Sequence, residues 1–454
     1  MTDTARNIAI SFYNHSIEIK PRDAQLSFKC LVSACDADPT FDQGWFSFGN
    51  ACGDMAMIAA SAAAYRRAAE VDPVNAQYQN SLGHRLYHLG QIKEALECVE
   101  RAIDLDPNMS FAWTNLSLIH SLRGRHSEAI KASRRAVELS DEPVNRLGLA
   151  FALLFGEHYA EGFKEFECRY AYKLKQFLDY PYPQWDGSAC PILLIQSEQG
   201  MGDTIRFMRY IPQVMQRVET AKLFIHPELV RLVRDMFEHY GSRIEVNGLP
   251  QPLPAAHAWT TVGSLPVALG LTDEEIVQGP RLPAPTYRVP APWKAAGRVL
   301  HIGIAWAGAP MNDIDRWRSL KIEQFLDLYR VDGVQLYSLQ VGERTQDLHA
   351  AGCAALVKDL SPYIRDVADT VGILDHLDLV ICAESALGHI CGLAGKECWI
   401  PYSYMGGDWQ LGRSESGRMK YPTTKVFRQG SDMEWGPVFD KIVRCLETRV
   451  RDVT

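Results

Sequence analysis

Residues 76–109 read AQYQNSLGHRLYHLGQIKEALECVERAIDLDPNM. Shifting this stretch by 34 residues in either direction brings back its small residues and its proline in columns. Ala34, Ala68, Ala102 and Ala136 form one column, and Ser27, Ser61, Ala95 and Ala129 a second. Gly49, Gly83 and Ser117 form a third, Pro39, Pro73 and Pro107 a fourth, and Trp45 and Trp113 share one phase. A fixed period of this length marks a repeat array whose units bury their apolar faces on one another. Small residues let two paired helices approach closely. Proline closes the second helix of each pair, because it has no N–H to donate to the helical ladder.

These columns resemble the tetratricopeptide repeat (TPR). The repeats fall near 8–41, 42–75, 76–109 and 110–143, and a degenerate fifth over 144–177 keeps the flavour of a second helix in FGEHYAEGFKEFECRY. The expected N-terminal domain is therefore an α-solenoid over 1–180. Two uses of its concave face stay open: packing against the next domain, or a groove for a peptide or partner protein.

The chain has 454 residues, more than one core usually organises, which predicts two or three domains. Its 47 basic and 55 acidic residues give a net charge of -8, which argues against a general nucleic-acid or anionic-membrane binder. Eleven cysteines without a CxxC pair suit reduced thiols better than a disulfide framework or zinc site. The opening MTDTARNIAISFYNHS has no leader pattern and no run reaches membrane-span length, so a cytoplasmic location is expected.

From Cys190 the rhythm changes to strands alternating with helices, the pattern of a parallel α/β sheet. PILLIQ, AKLFIHP and SRIEVNG are predicted strands of a first half over 181–285, with helices near 203–217 and 227–240 and a final AWTTVGSL segment. The proline-rich residues 279–293 read as a linker. A second half over 286–454 carries VLHIGIAWAG, VQLYSLQ, AALVKDL, LDLVICAES and ECWIPYS, with helices near 320–330, 366–376 and 386–395. Ligands of such sheets bind at the carboxyl ends of the strands, here in a cleft between two halves.

The loop SEQGMGDT, residues 197–204, lacks the third glycine of a dinucleotide fingerprint and the lysine of a phosphate loop. Gly200 and Gly202 are expected to make a tight strand-to-helix turn. Asp203 then sits in a first helical turn, either capping it or serving as a carboxylate base for a hydroxyl. In the second half, Glu384 and Ser385 stand where a strand ends and a helix begins, a place suited to phosphate. His389 lies four residues on, as a packing residue or facing that phosphate. Gly308 allows close backbone approach, while Arg316 and Arg318 either clamp a diphosphate or pair with Asp313 and Asp315.

Taken together these stretches resemble bacterial TPR glycosyltransferases of the two-Rossmann GT-B architecture. They are similar to heptosyltransferase-type family 9 enzymes and, more distantly, to O-linked N-acetylglucosamine transferases of family 41. Similar proteins carry EQGxGDxxxFxRY, matched by Glu198 to Tyr210, and GxxWxG, matched by Gly303 to Gly308. They also carry D-x-x-RS, matched by Asp315 to Ser319, a strand ending SLQ, matched by Ser338 to Gln340, and a D[TS]AxxHLAGAxG loop. In that last loop the usual Asp is Glu384 here, which leaves an adaptor without catalysis among the readings.

The resemblance implies Asp203 as catalytic base and Gln199, Gly200 and Gly202 as the acceptor-side loop. It assigns Trp306, Gly308, Arg318, Gln340, Glu384, Ser385, Ala386 and His389 to the nucleotide-sugar donor. It implies an inverting transfer with no metal and no cofactor beyond the donor substrate. The implied partner is a protein acceptor recruited by the repeats, flagellin-like by analogy; a lipid-linked or capsular saccharide is the alternative acceptor.

Overall fold

The computed structural model describes residues 3–171, 180–249, 254–279, 282, 285–287, 299–308, 315–405, 407–411 and 421–453. The chain forms two compact units, Met1–Gly156 and Glu157–Thr454. Most of the expected linker 279–293, Asp313 and the end of the fifth repeat lie outside the described residues.

The first unit is a run of helices: α1 (Asp3–Ile19), α2 (Ala24–Ala37), α3 (Asp42–Asp54), α4 (Ile58–Val71), α5 (Ala76–His88), α6 (Ile92–Leu105), α7 (Ser110–Leu122), α8 (His126–Leu139) and α9 (Pro143–Phe155). The repeat columns become its helix crossings. Ala34, Ala68, Ala102 and Ala136 have no exposed surface. A Cβ on Gly83 would lie 2.7 Å from Val99 Cγ2, and one on Gly49 would lie 2.6 Å from the Tyr65 ring. Where the second column carries serine, its hydroxyl takes a backbone carbonyl: Ser61 donates to Gly49 O at 2.7 Å and Ser27 to Ser16 O at 2.8 Å.

The Asp-Pro steps end α2, α4 and α6. A residue before proline is pushed out of helical backbone, and Asp38, Asp72 and Asp106 have φ of -142°, -127° and -140°. Each carboxylate then accepts the N–H two residues on, at 2.9, 3.3 and 3.0 Å, and so closes an Asx turn. The two in-phase tryptophans make one bond in common, from Nε1 to the carbonyls of Pro39 and Pro107, both at 2.9 Å.

The second unit begins with α10 (Tyr159–Phe166) and holds two sheets. β1 (Cys190–Gln196), β2 (Val218–Ile225), β3 (Ile244–Gly248) and β4 (Ala258–Thr261) run parallel in the order β3-β2-β1-β4. β5 (Leu300–Ala305), β6 (Val334–Ser338), β7 (Lys358–Asp359), β8 (Leu379–Cys382), β9 (Cys398–Tyr402) and β10 (Thr424–Arg428) run parallel in the order β10-β9-β8-β5-β6-β7. Each sheet therefore reverses its strand order beside its first strand, which is the switch point where such sheets open a crevice.

Helices α11 (Met201–Met208) and α12 (Ile211–Val214) follow β1, and α13 (Val230–Met236) follows β2. The helix expected over 203–217 is thus two, since Pro212 at the start of α12 cannot continue the ladder of α11. α14 (Leu265–Ala268) and α15 (Asp273–Gln278) follow β4, α16 (Asp315–Arg318) and α17 (Ile322–Phe325) follow β5, and α18 (Asp347–Ala350) follows β6. α19 (Val367–Leu374), α20 (Ala386–Leu393) and α21 (Gly436–Val453) follow β7, β8 and β10. β10 and α21 were not expected; α21 buries Val438, Phe439, Ile442 and Leu446 against the second sheet, with the Phe439 ring edge-on to Phe325 at 5.3 Å.

The first compact unit ends at Gly156, within the expected fifth repeat. α9 stands where the first helix of the fifth repeat was expected, but α10 buries its aromatic face within the second unit. The Phe163 ring meets Phe207 at 5.7 Å and Trp409 at 5.4 Å, and Tyr159 meets Trp409 at 5.8 Å. Just beyond it, Arg169 is fully buried at the switch point of the first sheet. Its Nε and Nη2 both donate at 2.9 Å to the Glu198 carboxylate, and Nη2 also reaches Thr261 and Ser264. Burial opposes the charge on Arg169, but the Glu198 carboxylate outweighs it and holds the guanidinium protonated. Replacing Arg169 with Ala leaves Glu198 buried without its cation; the expected loss is about 3–5 kcal/mol, read from urea denaturation of the full chain, and a loss under about 1 kcal/mol would contradict this account.

Candidate functional site

The loops that the sequence singles out lie at the carboxyl ends of β1, β5 and β8, and the two sheets meet there through α11 and α20. The join is at Gly202. A Cβ at this position would lie 2.7 Å from His389 Cδ2 and 3.5 Å from the Ala386 Cα. Because Gly202 is in the first turn of α11 and Ala386 opens α20, the N-terminal ends of the two helices converge. Both ends carry partial positive charge from unsatisfied N–H groups.

Five residues of SEQGMGDT have separable tasks. Glu198 is held by Arg169 and also accepts Thr261 Oγ1 at 2.6 Å and Gly263 N at 2.9 Å. Gln199, not a glycine, takes the left-handed backbone, with φ 58°. A non-glycine residue there is strained, and the His226 ring hydrogen-bonds its backbone. Gly200 caps α11 with ordinary extended backbone. The turn therefore needs Gly202 for space rather than for its dihedral freedom. Asp203 Oδ2 accepts Gly200 N at 3.2 Å, while its side chain keeps 27% of its surface exposed. Capping and access to solvent are both satisfied by this one carboxylate.

In the second sheet, β8 runs through Ala383 and Glu384 to Ser385, which caps α20 in extended backbone with φ -158°. The Ser385 hydroxyl makes no capping hydrogen bond, contrary to the expected cap. Glu384 is buried, with 6% of its surface exposed. The neighbouring loop after β5 is held by Gln340. Its Oε1 accepts Trp306 N at 3.1 Å and Ala307 N at 3.0 Å, and its Nε2 donates to Ala307 O at 3.2 Å. The Trp306 ring is fully buried in the core and donates Nε1 to Asp347 at 2.8 Å. Trp306 and Gln340 thus shape the loop from beneath, where they were expected to touch a donor. Gly308 and Arg318 are adjacent: a Cβ on Gly308 would lie 2.8 Å from Arg318 Nη2 and 2.7 Å from Asp315 Oδ1. Arg318 Nε pairs with Asp315 at 3.3 Å, and this pair is largely buried rather than on the surface.

His389 does not stand alone on its helix. Nε2 lies 3.3 Å from Asp408 Oδ2 and 3.4 Å from Arg206 Nη2, and Nδ1 lies 3.4 Å from the Tyr421 hydroxyl. Both ring nitrogens are therefore engaged at the joint, which is the packing alternative rather than the phosphate-facing one. Arg206 donates through Nη2 to both Asp408 oxygens, at 3.1 and 3.0 Å, and its guanidinium lies 4.5 Å from the Trp409 ring centre. Burial would push the Asp408 carboxyl up, but Arg206 and His389 hold it well below the ordinary carboxylate range. A second ion cluster links the sheets, where Arg231 on α13 reaches Asp366 and Asp369 at the start of α19, at 2.5 Å each.

Arg206, Asp408 and Tyr421 were missed by sequence reasoning. The one local signal was Arg206 lying three residues after Asp203, on the same helical face; its partner is 202 residues away. Among the described residues, no group of three or more His, Cys, Asp or Glu side chains could hold a metal ion, and no helix is long and apolar enough to cross a membrane.

Tetratricopeptide-repeat family models match residues 76–109 and 112–143. The chain is similar to Protein FlbA of Caulobacter vibrioides, with 21% identity over 406 residues, 83% of this chain and 67% of that protein. Among solved structures, MamA from Desulfovibrio magneticus is 17% identical, with a TM-score of 0.33, over 37% of this chain and 97% of its own. PilW, a type IV pilus biogenesis factor, is 14% identical, with a TM-score of 0.35, over 46% of this chain and 87% of its own. With the family models over two of its repeats and nine helices in succession among its described residues, the first unit is a helical TPR solenoid, and parallel sheets follow it.

Gly202→Ala tests the joint. The added methyl meets a His389 ring already held on both nitrogens, so overpacking is expected to cost about 1–3 kcal/mol in thermal or urea unfolding. A variant as stable as the parent would show that α11 and α20 do not rely on this approach.

Proposed function

We propose that the chain is a glycosyltransferase that moves a sugar from a nucleotide-sugar donor to an acceptor hydroxyl, and that its TPR unit recruits a protein acceptor. The observation that carries this reading is the convergence of α11 and α20. A part-exposed carboxylate, Asp203, stands in the first turn of one helix, and Ser385, whose hydroxyl makes no capping hydrogen bond, opens the other. Both sheets are parallel and reverse their strand order beside their first strands, and that doubly wound pattern supports the two-Rossmann reading.

In this reading Asp203 accepts the proton of the acceptor hydroxyl as its oxygen attacks the anomeric carbon. The C–O bond to the nucleoside diphosphate breaks, and the leaving charge is met by the α20 N–H groups beside Ser385 and Ala386. Gly308 offers close backbone approach and Arg318 a cation, though Asp315 already claims part of that charge. Gln199, Gly200 and Gly202 border the acceptor, and Glu384 lines the donor end from its buried position. No metal is required, because helix ends and arginines carry the stabilisation. Inversion follows from a single displacement.

A second reading is a TPR adaptor whose α/β unit no longer catalyses. It is favoured by the engagement of Trp306, Gln340 and His389 within the fold and by Glu384 in place of the family's Asp. Calorimetry of the full chain with a panel of nucleoside diphosphates and nucleotide sugars separates the two. The transferase reading expects one of them to bind, and Ala386→Glu, which sets a negative charge at the α20 N-terminus, to weaken it at least about 10-fold. No binding by any member, or binding indifferent to Ala386→Glu, would overturn it.

A further inference from the structure

His84 and His88 on α5 have no part in the site described above. They stand four residues apart in one helix, so their side chains share a face one turn from each other. The fold brings their Nε2 atoms to 3.2 Å, with ring centroids 4.6 Å apart and ring planes at 90°. Both side chains are half-buried. The repeat itself does not ask for histidine here. One period earlier the same two positions hold Asn50 and Asp54, and one period later Leu118 and Leu122. A packing demand common to the repeats therefore does not account for the pair.

Two imidazoles at this distance are satisfied in one of two ways. A single proton shared between the nitrogens makes a hydrogen bond, its donor set by the tautomer. Alternatively a cation takes the place of that proton, because neutral imidazole nitrogen is a preferred ligand of divalent transition ions. With metal–nitrogen distances of about 2.0–2.1 Å, nitrogens 3.2 Å apart subtend about 100° at the metal, near the tetrahedral angle. The backbone need not move, since the outer torsion of a histidine has a broad well that lets both lone pairs turn to the shared point. His88 closes α5, the end at which the helix dipole favours a cation. Arg85 carries an opposing charge, but its guanidinium turns to α3, where a Cβ on Gly53 would lie 2.5 Å from Nη2.

We propose that His84 and His88 form a two-histidine site for a divalent transition ion, with the remaining coordination positions open to water or to a donor from outside the chain. A closed structural site takes four protein ligands. An open one fits the absence, among the described residues, of any three His, Cys, Asp or Glu side chains that gather for a metal. The site lies within the first unit and is independent of the transferase reading.

The probe is Zn2+ alone, added to the full chain under reducing conditions. With histidine ring nitrogens labelled, NMR follows the 13 histidines, and His84→Ala and His88→Ala assign the two resonances. At one equivalent these two are expected to move together, ahead of the rest. In calorimetry His84→Ala and His88→Ala are each expected to weaken Zn2+ at least about 10-fold, since losing even an outer-shell partner of a metal ligand costs about 10–100-fold. His15→Ala, on α1, is expected to leave the affinity unchanged. Zn2+ is also expected to raise the Tm of the parent and of His15→Ala, but not of the two α5 variants. If His84→Ala does not fold, His88→Ala, at the helix end, assigns and decides alone. Zn2+ that moves other histidines while this pair stays still, or an affinity indifferent to both α5 substitutions, overturns the proposal.

Discussion

The contact at Gly202 is the constraint on which the arrangement of the second unit turns. Two parallel sheets, each with its own core, present loops that have no reason in themselves to face one another. They do so because α11 carries no side chain at Gly202, so the ring of His389 and the backbone of Ala386 fit against it. Arg206 and Asp408 then fix the approach. A buried ion pair adds little net stability over apolar packing of the same volume, because desolvation offsets most of the attraction. Its contribution here is direction: the guanidinium on α11 is aimed at Asp408, in the loop after β9, beside His389 of α20.

A second buried arginine governs the other end of the same loop. Arg169 occupies the switch point of the first sheet, where a nucleotide-binding sheet would hold its ligand, and it anchors Glu198 at the strand end. The loop is therefore pinned at Glu198, strained at Gln199 and packed at Gly202, and of its two carboxylates Asp203 is the one with access to solvent. A crevice in the first sheet is filled by protein, whereas α20 in the second sheet opens with a serine whose hydroxyl makes no capping hydrogen bond. The asymmetry fits a donor on the second sheet and an acceptor on the first.

The solenoid was legible because its crossings depend on side-chain volume at a fixed period, and Ala102 or Gly83 can be read from sequence as small whatever surrounds them. The Asp-Pro stops were legible for the same reason, being local backbone chemistry. Central strands announced themselves as continuous apolar runs. The last strand, TKVFR, is short and alternates, and the amphipathic pattern of α21 was present in Val438, Phe439, Ile442 and Leu446 but not taken up. At the site, local features were legible: Asp203 in a first turn, Ser385 at a cap. What was not legible were long-range partnerships. Nothing near His389 in sequence names Asp408 or Tyr421, and nothing near Glu198 names Arg169. Those pairings come from the tertiary fold, as do the contacts that engage Trp306 with Asp347 and Gln340 with the loop after β5.

The central claim is that Asp203 acts on an acceptor hydroxyl opposite a nucleotide sugar held at α20. Intact-mass spectrometry of candidate acceptor proteins co-expressed with the full chain addresses it most directly. The account predicts an acceptor gaining the mass of a sugar with the parent chain and remaining unmodified with Asp203→Asn, although that variant is still folded. An acceptor modified equally by both chains would contradict it.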